Sequence, residues 1–284
     1  MFQNCDRCFV LLATRDRWEM LTSLSLPSVR RQTRQPDLLV LVNDGRPLTN
    51  PQQQYLADLV APIPLSVLKN RRLRGAAGAW NTGLAFLAER HGRGFVALLD
   101  DDDTWDPNHL ETNLAAAAEG ADIVISGLRL LIDGAEQERE LVRHVTDREF
   151  LVGNPGWQGS NTFVRLSLLK QVGGFREGMP SLNDRDLAIR LLRVPGVRVA
   201  FTGAWTSSWH IRTGSASLSS PRSPAKVAGL QWFWRIYGQD MTAAEAEAFL
   251  ARAERLFAVP RQQILRHDTE GPTHCQLQGD LVAS

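Results

Sequence analysis

Cysteine is scarce in this chain, with three in 284 residues. So few, and an odd number, cannot make a disulfide framework, and a reducing cytosol is the expected setting. Cys5 and Cys8 form a CxxC whose only zinc-completing partners in the sequence are His274 and Cys275; plain thiols and a surface histidine are the expected reading. Long apolar runs are also missing. None approaches the roughly 20 residues that span a bilayer. The opening stretch, Met1 to Cys8, lacks the basic-then-apolar layout of a signal peptide. A cytoplasmic protein without a transmembrane segment is therefore expected. A charge excess is missing as well: Lys+Arg 32 against Asp+Glu 31 gives a net charge of +1, so there is no global electrostatic case for binding nucleic acid. There is no internal repeat and no long low-complexity linker. What remains is 43% hydrophobic and 22% charged, ordinary for a globular protein with a sizeable core.

The first half alternates two periods. Strands are expected at Phe9–Ala13, Leu38–Val42, Pro64–Leu68 and Phe95–Leu99, with helices at Arg17–Gln32 (bent at Pro27), Pro51–Leu59 and Gly78–Arg90. That alternation predicts an α/β fold with a mostly parallel sheet. The second half changes character. A strand over Asp122–Leu131, a turn at Asp133-Gly134 and a strand over Glu140–Val145 are expected, then strands at Asn161–Val164 and Val197–Phe201 around a helix from Asn183 to Arg193. Two helices close the chain, Pro224–Tyr237 and Thr242–Phe257, the second opened by the capping box Thr242-x-x-Glu245.

Four aspartates follow the fourth strand: Phe95–Leu99 runs straight into Asp100-Asp101-Asp102-Asp103. Four adjacent carboxylates repel one another. A hard divalent cation such as Mg²⁺ or Mn²⁺ takes oxygen ligands and usually shares them with substrate phosphates. Ligands of open α/β sheets bind beyond the carboxyl ends of the strands. Helix capping is the plain alternative, and it accounts for Asp106, which with Pro107 reads as N-cap and first helical residue. It leaves Asp100–Asp103 unexplained.

Several motifs, taken in order, resemble family 2 glycosyltransferases, inverting enzymes of the GT-A fold that use nucleotide-sugars. Thr14-Arg15-Asp16-Arg17 resembles the family's Thr-x-Asn-Arg, with Asp in place of Asn, and Ser25–Thr33 resembles its first helix. Val42-Asn43-Asp44-Gly45 is similar to a base-contacting Val-Asp-Asp-Gly, with Asn43 replacing the first acid. Gly75–Gly83 is similar to the segment under the nucleotide, and Leu99–Asp103 to Asp-x-Asp-Asp. Gly173-Gly174-Phe175, then Asn183-Asp184-Arg185-Asp186-Leu187, resemble Gly-Gly-Phe and Glu-Asp-x-Asp-Leu, with Asn183 replacing Glu. His210 before Gly214-Ser215-x-Ser217 resembles a late histidine motif. The likeness covers residues 9–217.

The resemblance implies a Rossmann-like, mostly parallel central sheet flanked by helices over residues 1–221, with a nucleotide-binding half 1–120 and an acceptor half 121–221. Residues 222–284 are then a C-terminal helical extension and tail. It implies Mn²⁺ or Mg²⁺ as cofactor, held by Asp102 with His210, and a UDP-, GDP- or dTDP-sugar donor contacted by Thr14, Arg17, Asp44, Arg74, Asn81, Asp100, Asp101 and Asp103. Asp184 is the implied general base, with helix-start stabilisation as its plain alternative; Asp186 reads as support for that helix start, and Asn183 as its cap. Arg74 is favoured over Arg71 and Arg72 for the diphosphate, because guanidinium pairs well with phosphate oxygens. Trp157, in a Gly-rich loop, and Trp209 are the acceptor-stacking candidates, while Trp232 and Phe233 have the spacing of core residues. The acceptor is a glycan, a lipid-linked or a small-molecule hydroxyl, and the late helices are a candidate homo-oligomer surface. Two rivals stand beside this reading. One is a catalytically silent nucleotide-sugar-binding subunit. The other is a sugar-phosphate nucleotidylyltransferase, disfavoured because Leu12-Ala13-Thr14-Arg15 lacks that class's glycines.

Overall fold

The computed structural model describes residues 7–214 and 221–266. Cys5, His274, Cys275 and the Ser215-x-Ser217 stretch lie outside these residues. Strand β1 (Cys8–Thr14) leads into helix α1 (Trp18–Met20), a π-turn (Leu21–Ser25) and α2 (Leu26–Arg30). These form one continuous helical rod, and Pro27 sits in the first turn of α2. Proline carries no N–H for an α-helical bond, and the wider π-turn falls just before it, so the irregularity precedes Pro27 rather than centring on it. Then follow β2 (Leu38–Asn43), α3 (Asn50–Val60), β3 (Leu65–Lys69), α4 (Ala76–Arg90), β4 (Phe95–Asp100), the short β5 (Thr104–Trp105) and α5 (His109–Ala117).

The second half holds β6 (Ile123–Ile132), β7 (Ala135–Gln137), α6 (Asp147–Val152), β8 (Thr162–Arg165), α7 (Leu166–Gln171), α8 (Asn183–Leu192) and β9 (Val199–Ile211). The C-terminal helices are α9 (Pro224–Tyr237), α10 (Ala243–Phe257) and α11 (Arg261–Leu265). Among the described residues the sheet runs β3-β2-β1-β4-β8-β6-β9-β5, with β7 added beside β6. The pairs β1–β2, β2–β3 and β1–β4 are parallel, as the alternation requires. Strand β8 enters antiparallel between β4 and β6.

Two sequence expectations need correction here. The partner of β6 across Asp133-Gly134 is Ala135–Gln137, not Glu140–Val145, because the tight turn sets the register from its first residue onward. Strand β9 does not stop at Phe201 but continues to Ile211, pairing with β6 beyond an irregularity at Gly127 and with β5. That continuation carries His210 to the carboxylate end of β4.

The sheet separates two apolar layers. Alternate residues of β1 and β4 point to opposite faces. Phe9, Leu11, Val96 and Leu98 pack with Trp80, Leu84 and Leu87 of α4. Val10, Leu12, Phe95, Ala97 and Leu99 pack with Leu21, Leu26, Val29, Leu56 and Leu110. The first layer also takes in Leu230, Phe233 and Tyr237 of α9 and Phe249, Leu250 and Ala253 of α10. The late helices therefore share a core with the sheet. No helix among the described residues is long and apolar enough to cross a membrane.

Candidate active site

The parallel strands deliver their chemistry at one edge. After β1, Asp16 takes a left-handed backbone (φ +56°), which a short polar side chain tolerates. Its Oδ1 accepts the Arg46 backbone N–H at 3.0 Å. The loop after β2 passes so close that a Cβ at Gly45 would lie 2.6 Å from Asp16 Oδ1 and 2.8 Å from its backbone nitrogen, so only glycine fits there. Asp44 accepts from Asn70 Nδ2 at 2.6 Å and from the Gly75 N–H at 2.9 Å, thereby anchoring the arginine loop. Within that loop Arg72 is committed to Glu177 at 3.0 Å. Arg71 and Arg74 are exposed, and among the described residues their side chains make no hydrogen bond or ion pair.

The four aspartates occupy four different environments. Asp101 is buried and accepts from Thr14 Oγ1 at 2.7 Å and Arg17 Nη1 at 3.0 Å. Asp102 is one-third exposed and receives the same Arg17 Nη1 at 2.5 Å. Asp103 is buried, taking Ser160 Oγ at 2.5 Å and the His210 N–H at 3.1 Å. Asp100 keeps partial access, and its N–H donates to Ser160 Oγ at 3.1 Å. Burial, then Asp102, Asp101 and Asp184, push the Asp100 carboxyl up to about 8. Burial, then Asp100 and Asp102, raise Asp103 well above the usual carboxylate range, against its hydrogen bonds from Ser160 and His210. Negative charge is thus under-compensated where β4 ends. His210 Nε2 pairs with Thr104 Oγ1 at 2.8 Å; burial lowers its pKa and the nearby Asp102 opposes that.

Asp184 sits in the first turn of α8, partly exposed, with Oδ2 accepting from Asn154 Nδ2 at 2.7 Å. The loop that holds Asp184 through Asn154 also passes over Asp100, whose Oδ2 would lie 3.0 Å from a Cβ added at Gly159. The residue before Asn183 is strained: Leu182 is the N-cap, a bulky residue at φ +68°. Asn183 is therefore the first helical residue rather than the cap, and its buried Oδ1 has no hydrogen-bond partner among the described residues. Asp186 does not support the helix start either. It is wholly buried and accepts from Arg176 at 2.9 Å, Arg190 at 2.7 Å and Tyr237 Oη at 2.8 Å, tying α8 to α9. Asp106 likewise pairs with Arg129 at 2.9 Å instead of capping α5, which begins two residues beyond Pro107 behind Asn108.

Two candidate ligand contacts are corrected by burial. Trp157 is 3% exposed, its ring edge-on to Phe150 and its Nε1–H donating to Thr162 Oγ1 at 2.8 Å, so it offers no stacking face. Asn81 spends its amide inside the protein, donating to Phe175 O and Glu177 Oε1 and accepting the Phe175 N–H, all within 2.9 Å. It braces the Gly-Gly-Phe turn instead of reaching outward. Trp209 lies on β9 and stays partly accessible.

Comparison with known proteins then decides the family, since residues 10–192 match the sequence profile of glycosyl transferase family 2. The chain belongs to that family. A curated relative, the uncharacterized protein y4gI of Sinorhizobium fredii, is 28% identical over 139 residues; the match spans 48% of this chain and only 15% of that protein. Among solved structures, S. aureus TarS 1-349 in complex with UDP-GlcNAc superposes with a TM-score of 0.63 at 19% identity, covering 90% of this chain and 74% of the other. GalNAc-T7 with UDP, GalNAc and Mn²⁺ superposes with a TM-score of 0.62 at 13% identity, covering 91% and 52%. At these identities the superpositions establish the fold, and that fold is GT-A.

In the family-2 chain, sequence reasoning missed three supporting groups. Asn154 holds Asp184, Ser160 holds Asp103 and Asp100, and Glu177 joins Asn81 to Arg72. Asn154 and Ser160 lie in the same Gly-rich loop as Trp157. No local signal said which carboxylates the loop would meet.

Proposed function

We propose that this family-2 protein moves a sugar from a nucleoside-diphosphate-sugar to an acceptor hydroxyl in a single inverting displacement, with Asp184 as general base. The observation that supports this most is that a single loop, 153–160, reaches both Asp184, through Asn154, and the aspartates after β4, through Ser160. On this reading the aspartates after β4 serve the donor and Asp184 serves the acceptor. The UDP-GlcNAc named with TarS and the UDP named with GalNAc-T7 support a UDP-sugar as the first donor to test.

The donor set suits Mn²⁺ or Mg²⁺. Among the described residues no three His, Cys, Asp or Glu side chains form a closed metal cage. Hard cations in phosphate sites need none, since one or two carboxylates, water and phosphate oxygens complete the shell. Asp102, the more exposed oxygen donor, with His210 nearby, would hold the ion, and the raised pKa values of Asp100 and Asp103 support a cation at this edge. Bound there, it would neutralise charge developing on the diphosphate leaving group. Arg17 supplies positive charge to Asp101 and Asp102 from the protein itself. On this reading Arg74, exposed on the loop that Asp44 anchors, contacts the diphosphate. Asp184, steered by Asn154, takes the proton of the attacking hydroxyl.

Proton NMR of the product from an α-linked UDP-sugar tests the mechanism, and a β-linked product is expected. An α-linked product overturns single displacement. Calorimetric titration with UDP tests the cation: binding is expected to be far tighter with Mn²⁺ than with EDTA, and Asp102→Ala is expected to erase the difference. Equal affinity in both conditions removes the metal from the reading.

A further inference from the structure

Three cations lie on the helices packed together around Asp184: Arg185 on α8, Lys226 on α9 and Arg252 on α10. Lys226, in the first turn of α9, is 4% exposed, and among the described residues its ammonium makes no hydrogen bond or ion pair. The ammonium lies 4.4 Å from the centroid of the Phe257 ring. Arg252 of α10 is half-buried and equally without a hydrogen bond or ion pair among the described residues. Its guanidinium rests against the Gly153 backbone, where an added Cβ would meet Nε at 3.0 Å. Gly153 adjoins Asn154, the residue that holds Asp184. Arg185 completes the group. It is buried, donates to the carbonyls of Phe150 and Leu151 at the end of α6, and lies over Phe233.

These cations work against each other. Burial, helped by Arg185 and Arg252 and opposed by Asp184, brings the Lys226 ammonium down to about 8. Burial, with Arg252 adding to it and Asp184 opposing, brings Arg185 down to about 9. Among the described residues Asp184 forms no hydrogen bond or ion pair with any of the three, its Oδ2 being held by Asn154. Burying an unpaired cation is costly, and nothing in the packing requires it, since methionine would fill the space of Lys226 on Phe257. Arg185 has carbonyl oxygens to satisfy it, whereas Lys226 and Arg252 have donors left over.

We propose that Lys226 and Arg252 form a subsite for an oxyanion carried by the acceptor, a phosphate or a carboxylate group close to the hydroxyl that Asp184 deprotonates. This rests on the reading of Asp184 as the base. An oxyanion accepts hydrogen bonds from both side chains at once and balances their charge. The late helices then select an acidic acceptor, while the sheet edge holds the donor. The group that attracts the acceptor stands beside the group that activates it.

The test uses the full chain in EDTA at constant ionic strength, with inorganic phosphate and acetate as separate probes and the melting temperature as readout. Phosphate or acetate is expected to raise the melting temperature, and the stronger of the two identifies the oxyanion class. Lys226→Met and Arg252→Gln are each expected to weaken that apparent affinity about tenfold, the scale of one lost charge-assisted hydrogen bond. UDP affinity with Mn²⁺ is measured on the same proteins and is expected to stay at the parent value. No stabilisation by either probe, or equal stabilisation of parent and both variants, overturns the subsite. Arg252 is half-exposed, so Arg252→Gln carries the test if Lys226→Met misfolds. Loss of UDP binding by the parent would instead defeat the donor reading and leave the anion result standing on its own.

Discussion

At the residue scale the site is a contest between burial and charge. Asp184 is the residue on which the functional reading turns. Asp184→Asn keeps a side chain suited to a helix start, so the fold should survive. Turnover is expected to fall about 100- to 10,000-fold, the usual cost of losing a general base, while UDP affinity is retained. A variant within about threefold of the parent returns Asp184 to a structural role. His109 offers a pH test away from the carboxylates. It is fully buried, bonded to Thr206 Oγ1 at 2.9 Å and stacked on Trp105, and burial pushes its pKa down to about 3. Unfolded, it titrates near 6.5, so between these values the unfolded chain binds the extra proton. Its contribution is therefore complete above about pH 6.5 and is lost as pH falls toward 3, by about 1.4 kcal/mol per pH unit. Urea unfolding of the parent and His109→Gln from pH 7 to pH 4 should show the slope reduced by that amount in the variant.

At the element scale the first turn of α8 is held from three sides. Asn154 comes from the loop after α6, Arg185 reaches back to the end of α6, and Asp186 binds Tyr237 of α9. The rings of Phe233 and Phe249 pack together in α9 and α10, with Phe233 also beneath the Arg185 guanidinium. Phe233→Ala removes a fully buried ring and is expected to cost about 3–5 kcal/mol in urea unfolding. Because Arg185 adjoins Asp184, the same variant should also lose turnover at temperatures where it remains folded. An unchanged rate in a destabilised variant would show that α9 supports the fold without aligning the base. The inner faces of α9 and α10 are used up within the chain, so any self-association through the C-terminal helices must use outer positions such as Leu256 of α10 and Leu265 of α11, which are exposed.

At the scale of the whole molecule, one apolar layer joins residues from β1 to α11, Ile264 included. The boundary expected at residue 221 therefore separates elements that share a core. Truncation after residue 221 is expected to yield a collapsed chain with poor dispersion in its proton NMR spectrum, since it strips Leu230, Phe233, Tyr237, Phe249 and Leu250 from that layer. A sharp, well-dispersed spectrum from the truncated chain would make the late helices an independent unit.

What the amino-acid order determined alone is whatever depends on neighbours a few residues apart. Phe95–Leu99 is apolar at every position because its strand is covered on both faces, and that pattern is local. The capping box at Thr242 and Glu245, the turn at Asp133-Gly134 and the row of aspartates after β4 are equally local, and each stands where the sequence put it. Tertiary structure decided what each polar side chain meets. Asp100 to Asp103 are one residue type in one row, yet one meets Thr14, one is left to Arg17 and solvent, and one is sealed beneath Ser160. Trp157 looked exposed because its loop is rich in glycine, but burial depends on what packs above the loop, and Phe150 packs there. Lys226 is buried because Phe257, at the end of α10, packs over its ammonium. Charge and burial are properties of the assembled surroundings, summed over residues far apart in the chain, and no short window of sequence contains that sum.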